Sequence, residues 1–336
     1  MNIFITGHRG FIGRNLVNFF QDHRCDIASD KMSVSYEEPN VRSYKNLQGK
    51  YTGELDITMG HQLLAEVFSK RAVNFVIHNA AIVGTDVCAL YPEQTRMSNI
   101  IGTYNVAKAC ELLDIPVLYI GTTVIYDTAK YQNEKITEKS DINPRTFYAQ
   151  TKYDGELILR NSSVDCKIIR PLFCYGGEGD MNSLIAKTIY NHYYSRKKFK
   201  IYLDQFKVKS YMHVEDFCYQ IALLIDNWKI ATDEEFNAAN TESMDTGDIV
   251  RLMLEQGIDT SFIQWVPEVD YLGNHLVDSS RLQKTTGYSS YVSLKNGIER
   301  VKNDLKKMDQ KDYNPLVYLE EVEKRNQDIL SAYPKV

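Results

Sequence analysis

The chain has 336 residues, enough for one large or two modest domains. Its net charge of −5 argues against a general nucleic-acid binder, and no apolar run is long enough to span a bilayer, so neither nucleic acid nor membrane is an expected partner. Six cysteines (Cys25, Cys88, Cys110, Cys166, Cys174, Cys218) lie scattered without close pairs, which reads as reduced thiols in a cytoplasmic protein, with no disulfide framework and no metal site.

Ile3-Phe4-Ile5-Thr6 reads as a strand, and Gly7-His8-Arg9-Gly10-Phe11-Ile12-Gly13 as a loop opening a helix with Ile12, Leu16, Phe19 and Phe20 at helical spacing. This polar loop, after so few residues, is not the pattern of a secretory leader. Gly7 allows a sharp turn, Gly10 lets backbone approach a pyrophosphate, and Gly13 lets the helix pack against the sheet. The helix N-terminus favours the phosphates of a dinucleotide. A second strand, Cys25 to Ser29, ends at Asp30, an acid placed to bind the adenosine ribose. The competing reading is a glycine turn with no nucleotide; the strand, helix and acid around it weigh against that.

Lys31 to Gly53 is polar and carries few signals. Leu55-Asp56-Ile57 ends a short element, and Leu63, Leu64, Val67 and Phe68 keep helical spacing. Asn74 to His78 reads as a buried strand whose end, Asn79-Ala80-Ala81, leaves room for a ligand. A helix is predicted from about Gln94 to Leu113, then a strand Val117 to Ile120 followed by Gly121-Thr122-Thr123. A helix carrying Tyr148 and Lys152 precedes a strand at Lys167 to Arg170. Strands alternating with helices imply an α/β fold, a Rossmann-type doubly wound parallel sheet with sites at the strands' carboxyl ends. From Tyr175 the pattern loosens into a flexible glycine loop, Gly176 to Asp180, and a helix through Leu184, Ile185 and Ile189. The basic, aromatic stretch Asn191 to Lys200 is either a solvated helix end or a surface for an anionic substrate. Helices follow at Asp216 to Asn227 and from Thr246, with a strand near Glu235 to Asn240 between them. Asn314-Pro315 starts a helical tail. The expected division is a dinucleotide domain over 1–176, joined again by 209–240, a smaller substrate domain over 177–208 and 241–300, and a tail over 301–336.

Tyr148 and Lys152 are one helical turn apart and share a face. A tyrosine titrates near ~10, too high for a base at neutral pH. A nearby ammonium favours the phenolate, so the pair can exchange a proton with an alcohol or ketone while a hydride moves. Thr122 and Thr123 sit at a strand mouth, where a hydroxyl either bonds the reacting oxygen or caps the backbone. Capping is the reading for Thr123.

Together the glycine loop, Asp30, Leu55 to Ile57, His78 to Ala81, Asn99, Gly121 to Tyr126 and Tyr148 to Lys152 resemble the extended short-chain dehydrogenase/reductase family, the nucleotide-sugar epimerases, dehydratases and reductases. Arg170-Pro171, Tyr175-Gly176, Tyr211 to Asp216 and Asp278 to Leu282 with Thr286 to Tyr288 extend the resemblance to about Arg300. It implies Tyr148 as acid/base, Lys152 on the nicotinamide ribose, and Thr122 holding the substrate oxygen. Gly7, Gly10, Phe11, Ile12, Gly13 and Asp30 would hold the dinucleotide, and Asp56 and Ile57 its adenine side. Ala80, Ala81, Asn99 and Pro171 would lie near its bridge or nicotinamide. A nucleoside diphosphate sugar would be the substrate, and a homodimer the working unit.

Departures narrow the chemistry. The similar 4,6-dehydratases carry an acidic pair where Thr123 and Val124 stand, and similar sugar-acid decarboxylases a glutamate at Val124. The GDP-fucose epimerase-reductases use a cysteine at Val124 and a histidine near Glu178. Phe173 replaces an asparagine, and Lys209 an arginine, near the substrate phosphates. What remains needs only Thr122, Tyr148, Lys152 and the cofactor. The expected function is an NAD(P)-dependent 4-epimerase acting through a ketosugar. The alternative is a 4-keto-6-deoxysugar reductase, since Gly121 to Glu156 also looks like the dTDP-4-dehydrorhamnose reductases; a third reading is a non-catalytic nucleotide-binding protein. Asp30 favours NAD, while Arg9 and Lys31 leave NADP possible.

Overall fold

A computed structural model describes residues 1–22, 26–27, 55–177, 179–180, 183–201, 206–266, 273–289 and 291–307. Asp30, Cys25, Lys31, Glu178 and the predicted tail helix lie outside these residues. The first half of the chain alternates strand and helix: β1 (Asn2–Thr6), α1 (Phe11–Asp22), β2 (Asp26–Ile27), α2 (His61–Lys70), β3 (Phe75–His78), α3 (Thr85–Leu90), α4 (Pro92–Arg96), α5 (Gly102–Leu113), β4 (Val117–Ile120), α6 (Phe147–Arg160) and β5 (Cys166–Pro171). The second half is β6 (Cys174–Tyr175), α7 (Leu184–Tyr190), β7 (Phe199–Ile201), β8 (Val208–Ser210), β9 (Met212–His213), α8 (Val214–Asp226), β10 (Glu235–Ala238), β11 (Ser243–Asp245), α9 (Thr246–Glu255), β12 (Ile263–Trp265), α10 (Ser280–Thr286) and α11 (Leu294–Lys307).

The central sheet runs β10-β5-β4-β3-β1-β2, with every pairing parallel. From β1 the chain goes first to β2 on one side, then crosses to β3 on the other. That reversal opens a crevice at the strands' carboxyl ends, where ligands of such sheets sit. The middle of β1, Ile3-Phe4-Ile5, is apolar because both faces are covered. Ile3 and Ile5 pack with Leu16, Val17 and Phe20 of α1 and Phe217 and Ile221 of α8. Phe4 turns the other way, onto Leu64 and Phe68 of α2 and Val106 of α5. A further core joins Leu184, Ile185 and Ile189 of α7 to Ile249 and Met253 of α9 and Ile298 and Val301 of α11.

Two expectations need correction. The helix predicted from Gln94 begins at Pro92, whose missing N–H costs nothing in the first turn. It continues to Leu113 but widens into a π turn at Met97–Ile101. The glycine loop is not loose among its described residues: the Asp180 carboxylate accepts N–H bonds from Gly176 at 2.8 Å and Ser183 at 3.1 Å.

Candidate active site

β1 delivers Thr6 to the carboxyl edge, in register with His78 of β3. Gly7 then turns with φ +67°, and a Cβ there would stand 2.6 Å from Ala80 Cα. Position 7 therefore excludes side chains twice, by conformation and by contact. Gly10 is exposed, and its N–H bonds the Gly7 carbonyl at 3.0 Å. A side chain there would stand over the loop, so the loop with the first N–H groups of α1 forms a cradle fit for a pyrophosphate. Phe11 and Ile12 open α1, and their part-buried side chains pack against the core of β1, α1 and α8. Gly13 departs from expectation. Its missing Cβ would lie 2.2 Å from the Gly7 carbonyl oxygen, so it admits α1 against the loop itself rather than against the sheet.

A row of hydrogen bonds runs from this loop to the helix that carries Tyr148. Thr6 Oγ1 accepts N–H bonds from Asn79 and Ala80, both at 3.0 Å. Its own proton is left for His78 Nδ1 at 2.8 Å. His78 Nε2–H then donates to Thr103 Oγ1 at 2.9 Å, and Thr103 to the Asn99 carbonyl at 2.7 Å. Burial, aided by the Lys152 charge, pushes His78 down to about 3, so the ring is neutral and this tautomer holds. Asn99, on the π turn, clamps the Ile82 backbone on both sides and donates to Thr151 Oγ1 at 3.0 Å. Thr151 in turn donates to the Tyr148 carbonyl at 3.0 Å. Asn99 thus bonds protein groups through its side chain, beside the predicted nicotinamide position. Ala80 and Ala81 stay part-exposed beside it, and Pro171 ends β5 two strands away. Asp56 Oδ1 caps the turn Ile57–Met59 by accepting from Thr58 N–H at 2.9 Å. Ile57 is fixed by Asn105, which donates to its carbonyl at 2.9 Å.

The three predicted catalytic residues come together. Thr122 follows β4, caps the turn Thr123–Ile125 through Val124 N–H at 3.4 Å, and bonds the Tyr148 phenol. The capping reading of this hydroxyl holds, and the hydroxyl also lies beside the phenol. Thr123 is buried, and its hydroxyl lies 3.5 Å from the Pro171 carbonyl. Lys152 is buried, with Nζ 4.1 Å from the centre of the Tyr119 ring, while the Tyr119 hydroxyl donates to the Lys152 carbonyl at 3.2 Å. A cation over an aromatic face contributes ~0.5–2 kcal/mol, more when water is excluded. Below it, Glu156 and Arg170 form a buried ion pair, with Arg170 Nη2 2.6 Å from Glu156 Oε2.

The expected direction of one shift is reversed. Burial pushes the Tyr148 phenol up to about 12, against the opposing bond from Thr122. It pushes Lys152 down to about 7, with Glu156 pulling the other way. Desolvation therefore outweighs the pull of the Thr122 hydroxyl on the phenol.

Cys88 and Tyr119 carry no motif, yet both belong to this site. The Cys88 thiol on α3 is close enough to couple electrostatically to Tyr148 and Lys152, and burial pushes it up to about 11. The basic stretch at Asn191 to Lys200 packs elsewhere: Tyr194 bonds the Leu305 carbonyl of α11, and Lys306 covers the Tyr193 ring. Lys209 is fully buried and donates to the Gly273 carbonyl at 2.8 Å. No helix among the described residues is long and apolar enough to cross a membrane.

A fold with its ligand crevice at the carboxyl ends of a parallel sheet, a glycine cradle and a Thr–Tyr–Lys set defines a class of dinucleotide-binding proteins. Residues 3–239 match the model of the NAD dependent epimerase/dehydratase family, and the chain belongs to that family. It is 25% identical over 245 residues to a dTDP-glucose 4,6-dehydratase of Mycolicibacterium smegmatis, covering 69% of each chain. Among solved structures it is similar to UDP-glucose 4-epimerase of Thermotoga maritima with UDP-glucose (TM-score 0.74, 20% identity, 91% of this chain and 99% of that one). It is also similar to RMD of Pseudomonas aeruginosa complexed with NADPH (TM-score 0.72, 16% identity, 90% and 99%). The family places the chain among nicotinamide-dependent enzymes that modify nucleotide sugars.

Proposed function

We propose that this chain is an NAD(P)-dependent nucleotide-sugar epimerase of the 4-epimerase type. The carrying observation is the Thr122–Tyr148–Lys152 set beside Thr123 and Val124, positions that offer no carboxylate to remove water or a second sugar proton. Bound in the crevice, the nicotinamide supplies the acceptor and donor of a hydride. Tyr148 would take the proton of the sugar hydroxyl and return it to the same oxygen after the ketosugar has turned its other face to the nicotinamide. Thr122 holds that oxygen, and Lys152 stands one turn away to hold the ribose. Glycines 7, 10 and 13 with Phe11, Ile12, Asp30, Asp56 and Ile57 hold the dinucleotide; Ala80, Ala81, Asn99 and Pro171 border its nicotinamide end.

In this reading 1–176 and 209–240 bind the cofactor, and 177–208 and 241–300 the substrate's nucleotide. NAD is the expected cofactor and the cytoplasm the expected location. Exposed apolar side chains along α5 and α6 (Tyr104, Leu112, Leu157) support a homodimer.

The test is a panel of UDP-, dTDP- and GDP-sugars, with products and nicotinamide absorbance followed together. Epimerisation without net cofactor consumption is the expected result. Stoichiometric oxidation of NAD(P)H by a 4-ketosugar would establish the reductase instead. Tyr148→Phe should lower turnover about 10²- to 10⁴-fold while leaving cofactor binding intact; unchanged turnover would refute the assignment.

A further inference from the structure

Four non-glycine residues have positive φ among those described: Ala72, Asp114, Phe173 and Arg196. Asp114 and Arg196 end helical segments, and Ala72 follows the end of α2. Phe173, at φ +41°, instead stands two residues past β5, at the edge of the catalytic crevice. A bulky side chain there costs ~1–3 kcal/mol, and such strain persists where the surroundings enforce it.

The surroundings are visible. β6 pairs with β9 in parallel, with Cys174 opposite Met212, so the preceding residues Phe173 and Tyr211 lie side by side. Met212 N–H donates to the Phe173 carbonyl at 3.3 Å. The two rings stack 5.4 Å apart at 26°, and Phe173 keeps one part open. Phe173 also packs on Leu172, Ala239 and Val277, and so does Val124. Val124 is the part-exposed residue of the turn Thr123–Ile125, whose other members are buried, and its N–H bonds the Thr122 hydroxyl.

The partly open apolar surface beside the Thr122 hydroxyl is therefore a wall made by Val124 and Phe173. Phe173 also joins the core of α7, α9 and α11, so the wall stands where two cores meet, a common setting for ligand pockets. An ordinary hexose presents a hydroxyl or hydroxymethyl at every edge. Against such a wall that group loses water and gains no partner.

We propose that Phe173 and Val124 select a deoxysugar, a nucleoside diphosphate sugar whose edge beside the reacting carbon carries a methyl group or hydrogen in place of the oxygen. This rests on the nucleotide-sugar reading above and deepens it. It also gives the strain a use: the left-handed corner aims the ring at the substrate.

The test compares pairs of UDP- and dTDP-hexoses that differ only in carrying the C6 hydroxyl or lacking it. Turnover is read as kcat/KM and binding by calorimetry. The wild-type protein should prefer the 6-deoxy member by about 10- to 100-fold. Phe173→Asn, a residue type that accepts positive φ, should bring that ratio toward one. Val124→Thr, nearly the same shape with a hydroxyl, should shift it in the same direction and serves if the first variant fails to fold. A ratio near one in the wild type overturns the proposal, because the ring is then a stacking platform for any hexose. A ratio that neither variant changes overturns it too. Turnover without preference sinks this inference alone, whereas failure to bind or convert either member sinks the functional reading with it.

Discussion

Gly7 and Phe173 occupy equivalent places and solve them in opposite ways. Each lies just past the carboxyl end of a parallel strand, and each turns through positive φ, +67° and +41°. At Gly7 the neighbouring backbone comes so close that any Cβ would strike Ala80. At Phe173 the side chain stacks on Tyr211 and stays partly open. A third corner, Gly121 after β4, separates the two causes: its φ is ordinary, but a Cβ would lie 2.6 Å from Glu156 Oε1. One corner is shaped by conformation and contact, one by contact, and one holds its strain for the sake of a ring.

The sharpest probe of contact is Glu156→Gln. It leaves the Arg170 guanidinium buried against a neutral amide, and urea denaturation should show a loss of about 3–5 kcal/mol. A loss below ~1 kcal/mol would mean that Gly121 is not there to seat a charge pair. Next comes Gly7→Ala, expected to cost about 3 kcal/mol and to abolish nicotinamide binding in a fluorescence titration. Gly7→Asn should recover little, since Asn accepts the φ but keeps the clash; full recovery would leave conformation as the sole cause.

Lys152→Met tests a cost set by burial rather than by backbone. Lys152 titrates at about 7 when folded against 10.5 for the free side chain. Between those values the unfolded chain holds a proton that the folded chain has released, so raising pH favours the folded state. The variant should therefore be more stable at pH 7 by on the order of 2 kcal/mol, and the gap should close toward pH 10. A gap independent of pH would remove the buried charge as its source. The smallest effect compares Phe173→Asn with Phe173→Ala. Both lose the ring, but Asn tolerates the left-handed corner, so it should be more stable by about 0.5–1 kcal/mol. Equal midpoints would mean the corner carries no strain.

What could be read from the chain follows the same division. The glycine loop and the Tyr148–Lys152 pair were legible because a turn and a helix impose their demands locally, on residue types in fixed spacing. Gly13 was legible as a necessary glycine but not for its reason, since the Gly7 carbonyl that excludes its Cβ is brought there by the folded loop. The direction of the Tyr148 shift was missed because a neighbour's charge can be read from spacing, whereas burial cannot. Tyr119 beneath Lys152, Cys88 beside it and the left-handed corner at Phe173 come from strands and helices far apart in the chain. The π turn that aims Asn99 inward has no residue signature at all.

The row from Thr6 through His78 and Thr103 to Asn99 has a polarity. Two backbone amides occupy the Thr6 oxygen at one end and the Asn99 carbonyl takes the Thr103 proton at the other, and both fix His78 with its proton on Nε2. The nucleotide loop and the reactive helix are wired in series, like a chain of one-way valves. A first strand borrowed from another protein would have to end in a hydroxyl at position 6, or His78 Nδ1 would lose its donor and the Asn79 and Ala80 amides their acceptor.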